Sequence, residues 1–176
     1  MKIKIPGLLV ISLIVLQNVI GQVKVESADI ILKQAYNEAV KSNKNVFVIF
    51  HASWCGWCHK LDSSMNDASC KKYFDDNYVI RHLTVFENPD KKNIENAGAE
   101  DFLNKYNDAE QGLPYFLIFN KQGELIADSK NKENKNIGCP ATEDEVQYFI
   151  LILEKTSRLN KLQLSIIEKR FAKNSL

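Results

Sequence analysis

Neither charge is in excess in this sequence. Lysine and arginine together number 23 and aspartate and glutamate 22, which gives a formal net charge of +1. We therefore expect no basic surface for nucleic acid and no strong field that would steer an acidic partner. Glycine and proline are also scarce, at 7 and 4 of 176 residues, and there is no internal repeat or low-complexity segment. The 45% of hydrophobic residues predict one globular domain and argue against general disorder.

An apolar run long enough to cross a membrane is missing as well. The apolar run over residues 8–16 continues only weakly to Ile20, because the polar pair at 17–18 interrupts it, and Pro6 precedes it. A spanning helix needs roughly 20 predominantly apolar residues. This run is therefore too short to predict a membrane span.

The same segment has the layout of a secretory signal peptide. Lys2 and Lys4 precede the apolar run, and Val19-Ile20-Gly21 supplies small or modest residues around a cleavage position. We expect residues 1–21 to be a signal peptide and residues 22–176 to be a single domain with extended C-terminal helices. The mature protein is then exported, periplasmic or extracellular, where disulfides persist. An uncleaved anchor is the alternative, and only in that case is a membrane partner expected.

Cysteine is rare, with four in the chain, and two of them lie close together. Cys55-Gly-Trp-Cys58 is followed directly by His59. The pattern C-x-x-C-H is the attachment site of a c-type haem, whereas C-x-x-C after a strand is also a thiol–disulfide redox motif. The motif alone leaves both kinds of chemistry open.

Hydrophobic periodicity predicts helices that alternate with strands. Ser27 and the pair Thr142 and Glu145 have the pattern of helix N-caps, the second as a capping box. The predicted helices follow Ser27, Cys55, Asp67 and Thr142 and cover 99–106 and 159–172, and the predicted strands are 46–50, 78–86, 115–119 and 124–127. This order predicts two parallel strands, then an antiparallel hairpin, with helices on both faces of the sheet.

Two separated motifs make a family resemblance specific. "VFVIFHASWCGWCHK" followed by "GLPYFLIFNKQGELI" resembles the thioredoxin-like family over roughly residues 31–127. The resemblance implies an α/β thioredoxin-like fold, with a central mixed sheet of parallel strands plus a C-terminal antiparallel hairpin. It also implies that Cys55 and Cys58 form the active site and that Pro114 is a cis-proline beside them.

This context favours redox chemistry over haem and zinc. A haem would use His59 and a second axial ligand such as Met65, His51 or His82, but the sheet on both sides of the motif leaves no evident porphyrin pocket. Structural zinc commonly uses two close cysteine pairs, and the remaining cysteines lie far apart in sequence. We therefore expect no cofactor and no metal.

The redox interpretation gives each site residue a role. Cys55, at a helix N-terminus, is expected to be the thiolate nucleophile, and Cys58 the resolving thiol. Trp54, Gly56, Trp57, Leu113 and Tyr115 are expected to form the substrate surface, with the backbone beside Pro114 pairing with an extended substrate segment.

One position departs from the family pattern. Thioredoxins carry a buried aspartate six residues before the first cysteine, and this chain has Ile49 there. His82 aligns near the family's buried lysine, so we expect it to act as an acid or base near Cys58. The alternative is a core histidine whose hydrogen bonds are satisfied.

Cys70 and Cys139 are left over. In an oxidising compartment they are candidates for a structural disulfide, with two free thiols or an electron relay as alternatives. No cation lies between Cys55 and Cys58, which favours the reducing end of the redox scale.

The predicted function is therefore an exported thiol:disulfide oxidoreductase that reduces or isomerises protein disulfides. Its expected partners are proteins with disulfides and an unidentified electron donor or acceptor, and no nucleic acid. The alternative is a redox-inert binding or chaperone module with the same fold.

Overall fold

The computed structural model describes residues 25–106 and 111–175. The expected signal peptide at 1–21 lies outside the described residues. Within the described ranges, no helix is both long and apolar enough to cross a membrane.

These two ranges contain six α-helices and four strands. They are α1 Ala28–Ser42, β1 Asn45–His51, α2 Gly56–Met65, α3 Lys71–Asn77, β2 Tyr78–Thr84, α4 Ala99–Asn104, β3 Tyr115–Phe119, β4 Leu125–Asp128, α5 Glu143–Thr156 and α6 Lys161–Phe171. Short 3₁₀ helices cover Pro89–Ile94 and Ala172–Ser175. The predicted element order is confirmed.

The four strands form one mixed sheet in the order β2-β1-β3-β4. β1 and β2 run parallel, while β3 pairs antiparallel with β1 and with β4. Ile49 in β1 lies opposite His82 on one side and Phe116 on the other. The mixed sheet with a C-terminal antiparallel hairpin is therefore confirmed as a thioredoxin-like α/β fold.

Alternating side chains of β1 enter two separate cores. Phe47 and Ile49 pack with α2, α3, α5 and α6, whereas Val46, Val48 and Phe50 pack with α1 and α4. All five are at most 1% exposed. A strand covered on both faces is expected to be a continuous apolar run, as this one is.

Several element boundaries differ from the predictions. α3 begins at Lys71 and not near Asp67, because the Asp67 carboxylate instead accepts hydrogen bonds from Ser69 in a turn. β2 ends at Thr84, two residues early, since Phe86 has a positive φ of 55° that a strand does not allow. α6 has a capping box that the sequence analysis missed, formed by Asn160 and Gln163.

The two C-terminal helices pack on the face of the sheet that carries α2. The capping box of Thr142 and Glu145 is present, as predicted. Phe149 of α5 and Phe171 of α6 are fully buried, with ring centroids 4.9 Å apart. Trp57 at the start of α2 and Gly138, Cys139 and Ala141 before α5 line one pocket.

Candidate active site

Cys55 and Cys58 form a disulfide at the start of α2. The Sγ atoms are 2.04 Å apart and the Cα atoms 5.3 Å apart. Cys55 is the N-cap residue, and its sulfur accepts a hydrogen bond from the Cys58 N–H at 3.1 Å. A sulfur at this place faces the positive end of the helix dipole, which favours the thiolate once the disulfide is reduced. Cys55 thus has the environment of a nucleophile.

The disulfide is almost completely buried. Cys55 is 4% exposed and Cys58 1% exposed, and both pack with Ala52 and Leu113. The two tryptophans beside them are exposed instead, Trp54 by 53% and Trp57 by 51%. Gly56 is exposed at the first position of α2. The buried pair is thus flanked by a surface that is apolar and open to solvent.

The segment after β2 holds the loop that precedes Cys55. The Glu87 carboxylate accepts hydrogen bonds from the Ser53 N–H and, at 2.7 Å, from the Ser53 hydroxyl. The Trp54 indole N–H donates to the Phe86 carbonyl at 2.8 Å. Glu87 is only 3% exposed. This carboxylate was missed in the sequence because it begins a polar stretch that resembles a solvated loop.

The peptide bond between Leu113 and Pro114 is cis, as the resemblance implied. Leu113 contacts the cluster that contains both cysteines, so the fold brings this loop to the disulfide. Asn136 holds the loop from the other side. Its Nδ2 donates to the carbonyls of Gln111 at 2.9 Å, Gly112 at 3.2 Å and Pro114 at 3.0 Å.

Tyr115 does not belong to the surface of this site. Its side chain is 0% exposed and packs in the core with Phe50, and its hydroxyl donates to the Tyr106 carbonyl at 3.2 Å. The expected substrate contact by this side chain is therefore wrong. The reason is the position of β3, which lies between two strands and is buried on both faces.

His82 is paired with a carboxylate on α2. Its Nε2 lies 2.7 Å from Asp62 Oδ1, and its ring centroid lies 5.1 Å from that of His51. Asp62 follows Cys58 by one helical turn, which places the two side chains on one face of α2. The pKa of His51 is lowered, first by burial and then by the neighbouring His82. Asp62, His82 and His51 thus form a cluster that begins one helical turn after Cys58.

Cys70 and Cys139 are both free and buried, so the expected structural disulfide is not formed. Cys70 Sγ donates to the Ser64 carbonyl at 3.1 Å, and Cys139 Sγ accepts from Asn174 Nδ2 at 3.6 Å. The Ser64 hydroxyl donates to Asn174 Oδ1 at 3.0 Å, so a polar bridge lies where a disulfide was expected. Burial raises the pKa of both thiols, that of Cys139 to about 12.

The alternative interpretation of the C-x-x-C-H motif is haem attachment, which needs free cysteine sulfurs and a free histidine. Cys55 and Cys58 are bonded to each other, and His59 Nε2 lies 3.0 Å from the Ser53 carbonyl oxygen. In the ranges 25–106 and 111–175, no group of three or more His, Cys, Asp or Glu side chains is placed to hold a metal ion. The local geometry therefore favours a thiol–disulfide redox site over haem attachment.

Comparison with known proteins agrees with this geometry. A family model described as thioredoxin-like matches residues 29–121. A protein disulfide-isomerase from Hordeum vulgare is 35% identical over 66 residues, which are 38% of this chain and only 12% of that protein.

Three solved structures are also similar. A disulphide isomerase from Xylella fastidiosa Temecula1 has a TM-score of 0.48 and 17% identity, covering 82% of this chain and 88% of that one. A DsbH oxidoreductase has a TM-score of 0.45 and 18% identity, covering 59% and 69%. A thioredoxin-fold protein from Helicobacter pylori has a TM-score of 0.41 and 14% identity, covering 75% and 84%.

Proposed function

This chain belongs to the thioredoxin-like family, and from that premise we propose that it is a thiol:disulfide oxidoreductase that reduces or isomerises protein disulfides. The observation that carries the proposal is the Cys55–Cys58 disulfide at the N-terminus of α2, in contact with the loop of the cis-Pro114. A bond between a cysteine that caps a helix and a cysteine in the first turn of that helix, beside exposed tryptophans, suits exchange with another disulfide.

The reaction begins with the reduced pair. The Cys55 thiolate attacks one sulfur of a substrate disulfide, a Cys55–substrate bond forms, and the other substrate sulfur leaves as a thiolate. Cys58 then loses its proton and attacks Cys55 Sγ. The Cys55–Cys58 bond forms, the second substrate sulfur leaves, and two electrons have moved to the substrate. An external dithiol donor must then reduce the pair again.

Cys58 needs a proton acceptor in a nearly buried site. We assign this role to Asp62 and His82, because Asp62 is one turn from Cys58 and is hydrogen-bonded to His82 at 2.7 Å. The pair lies on the α2 side of the sheet, where the family's strand aspartate is replaced by Ile49. His51 packs against His82, and His59 is the residue that follows Cys58. The imidazoles of His51 and His59 add positive charge near the pair of Asp62 and His82 when they are protonated.

The proton role is tested by the pH dependence of resolution. We expect Asp62→Asn and His82→Phe to slow the attack of Cys58 on the mixed disulfide by about a hundredfold, the lower end of the usual contribution of general base catalysis. Asp75→Asn is the matched control, because it makes the same substitution at an exposed carboxylate whose ion-pair partner is Lys71 on α3. Unchanged resolution rates across about pH 5–9, the range around the histidine pKa, would remove both residues from the mechanism.

Trapping of the mixed disulfide tests the proposed function itself. Cys58→Ser should accumulate a covalent complex with a disulfide substrate, whereas Cys55→Ser should neither trap a partner nor turn over substrate. If the two variants behave alike and the wild type has no turnover, the protein is a redox-inert binding or chaperone module with this fold.

We also propose that the protein works outside the cytoplasm. The proposal is supported by the signal-peptide layout of residues 1–21. Its electron donor or acceptor is expected there too. Mass analysis of the protein recovered from its native host should give an N-terminus near residue 22, and an intact Met1 would contradict export with cleavage.

A further inference from the structure

The segment 85–87, which follows β2, contacts the loop before Cys55 at each of its three residues. The contacts are hydrogen bonds that join Val85 with His51, Phe86 with Trp54 and Glu87 with Ser53. On the side of segment 85–87 the first two bonds use backbone groups, which almost any residue supplies, whereas the third uses the Glu87 side chain. Glu87 is therefore the position of this segment at which the contact depends on the residue type.

Ser53 is held at all three of its polar groups. Its N–H and its hydroxyl donate to the two oxygens of the Glu87 carboxylate, the hydroxyl at 2.7 Å. Its carbonyl oxygen lies 3.0 Å from His59 Nε2, which is the donor because a carbonyl only accepts. Ser53 lies inside a turn that the Cys55 N–H closes on the Ala52 carbonyl at 3.0 Å. Two side chains thus fix the turn 52–55 that leads into the nucleophile.

The acceptor for Ser53 is in place before the contact forms. Glu87 is 3% exposed, and a carboxylate is costly to bury unless hydrogen bonds satisfy it. Here each carboxylate oxygen has a donor on Ser53. The Glu87 N–H donates to the Glu95 carboxylate at 2.7 Å, and Lys92 forms an ion pair with the same carboxylate at 2.7 Å. These bonds fix the backbone of Glu87 independently of the turn.

The contact acts differently on the two redox states of the cysteine pair. In the oxidised protein the Cys55–Cys58 bond itself restrains the turn. In the reduced protein that bond is absent, and the hydrogen bonds to Glu87 keep the turn in place. Two thiols that are held close to their bonded positions have a high effective concentration towards each other, which favours formation of the disulfide. The contact therefore makes the dithiol a better electron donor.

We propose that Glu87 is a positioning residue of the redox pair, which holds the turn 52–55 through Ser53 when the disulfide is open and thereby makes the dithiol more reducing. The proposal rests on the proposed function, since it requires a pair that cycles between dithiol and disulfide. Its action differs from that of Asp62 and His82, because it works through the backbone that carries Cys55 and involves no proton transfer.

The equilibrium of the pair with glutathione measures this effect. Oxidised glutathione takes two electrons and two protons from the dithiol, so that the Cys55–Cys58 bond forms, the glutathione disulfide breaks and two molecules of reduced glutathione result. Each protein is equilibrated in buffers of known glutathione ratio, quenched with acid and alkylated after unfolding. The oxidised fraction of the pair is then read by mass. An equilibrium constant is compared and not a rate, so the access of glutathione to the site does not enter.

Glu87→Ala is the test variant. We expect it to lower the equilibrium constant for oxidation about tenfold, the effect of freeing the backbone of roughly one residue in the reduced protein, and so to raise the reduction potential by about 30 mV. Glu87→Gln should stay within about twofold of the wild type, because its amide oxygen accepts the Ser53 N–H and its amide nitrogen donates to the Ser53 hydroxyl. Ser53→Ala, which loses only the hydroxyl, should fall between the two and is a milder change to the fold.

Asp67→Ala is the matched control. The Asp67 carboxylate also accepts an N–H and a hydroxyl from one serine, Ser69, at 2.9 and 2.6 Å. That contact lies in the turn before α3 and outside the loop that leads to Cys55. Its loss should lower the free energy of unfolding and leave the glutathione equilibrium within about twofold of the wild type.

An equilibrium constant of Glu87→Ala equal to that of the wild type would overturn the proposal. An equal shift in Asp67→Ala would overturn it too, since the effect would then be one of general stability. A shift in Glu87→Gln as large as that in Glu87→Ala would assign the effect to the charge and not to positioning, which also contradicts the proposal. A wild-type pair that never equilibrates with glutathione would refute the oxidoreductase itself, and the role of Glu87 with it.

Discussion

The free thiols give a quantitative prediction about the reduced protein. Burial raises the pKa of Cys139 to about 12, and that of Cys70 is also raised, mainly by burial. At about pH 8 a thiol with a pKa of about 12 is ionised in roughly one molecule in ten thousand, whereas an ordinary cysteine is ionised in roughly a quarter. Since alkylation proceeds through the thiolate, ionisation alone should slow Cys139 by about three orders of magnitude.

Exposure separates these cysteines little, since Cys70 is 0%, Cys55 4% and Cys139 6% exposed. The difference lies in the charge environment. Cys55 is at a helix N-terminus, where the dipole favours its thiolate, whereas burial raises the pKa of the other two thiols. We therefore expect iodoacetamide to modify Cys55 first in the reduced native protein, and to reach Cys70 and Cys139 only when the protein unfolds.

The assay is mass mapping of each cysteine after timed alkylation, with and without about 6 M urea. The urea sample is the control, because all four cysteines should then react at similar rates. Alkylation of Cys139 in the native protein within tenfold of the unfolded rate would refute the reasoning, as would a Cys70–Cys139 disulfide in the oxidised protein. Either result would return these cysteines to the electron relay, and Cys139→Ser should then lower turnover.

Three further predictions concern the scaffold of the site. Asn136→Ala removes the donor to three loop carbonyls and should lower the free energy of unfolding by about 1–2 kcal/mol in urea titrations; an unchanged midpoint would contradict its role as a clamp. Phe149→Ala opens the buried contact with Phe171 and should cost about 3–5 kcal/mol by the same measurement. The pKa of Asp67 is lowered to about 2, first by the Ser69 hydroxyl, so its stabilising effect is present above about pH 4 and is lost as the pH falls towards 2. Melting temperatures of Asp67→Asn should accordingly depend less on pH between about 2 and 5, and a pH dependence equal to that of the wild type would contradict this.

The central strands could be predicted because burial on both faces of a strand requires a continuous apolar run in the sequence. Residues 46–50 and 115–119 are unbroken apolar runs, and both are buried throughout in the structure. In β2 the apolar residues Val79 and Leu83 alternate with other residues in the sequence, and both enter the core with α1. The contact between the cis-proline loop and the cysteines was available only through the resemblance, because these segments lie more than 50 residues apart.

Polar residues whose partners are distant in the sequence could not be predicted from a local sequence pattern. Glu87 and Asn136 lie in stretches rich in charged and polar residues, which are most simply read as solvated loops. Their roles depend on distant partners, since Ser53 lies 34 residues before Glu87 and Pro114 lies 22 residues before Asn136. Of the alternatives left open for Cys70 and Cys139, the structure has two free thiols, and the sequence could not decide between them because it does not show whether two distant cysteines lie close together.

The residues of the proposed acid–base pair, Asp62 and His82, could be predicted only in part from the sequence, although the missing residue had a sequence signal. The sequence analysis proposed His82 from its alignment and left it without a partner. Asp62 follows Cys58 by four residues in a predicted helix, a spacing that places two side chains on one face. Alternation along β1 and β2 places Ile49 and His82 on the side of the sheet that α2 covers. Because Ile49 is apolar, this position of β1 supplies no carboxylate near Cys58. The spacing of four residues between Cys58 and Asp62 in α2 indicates Asp62 instead.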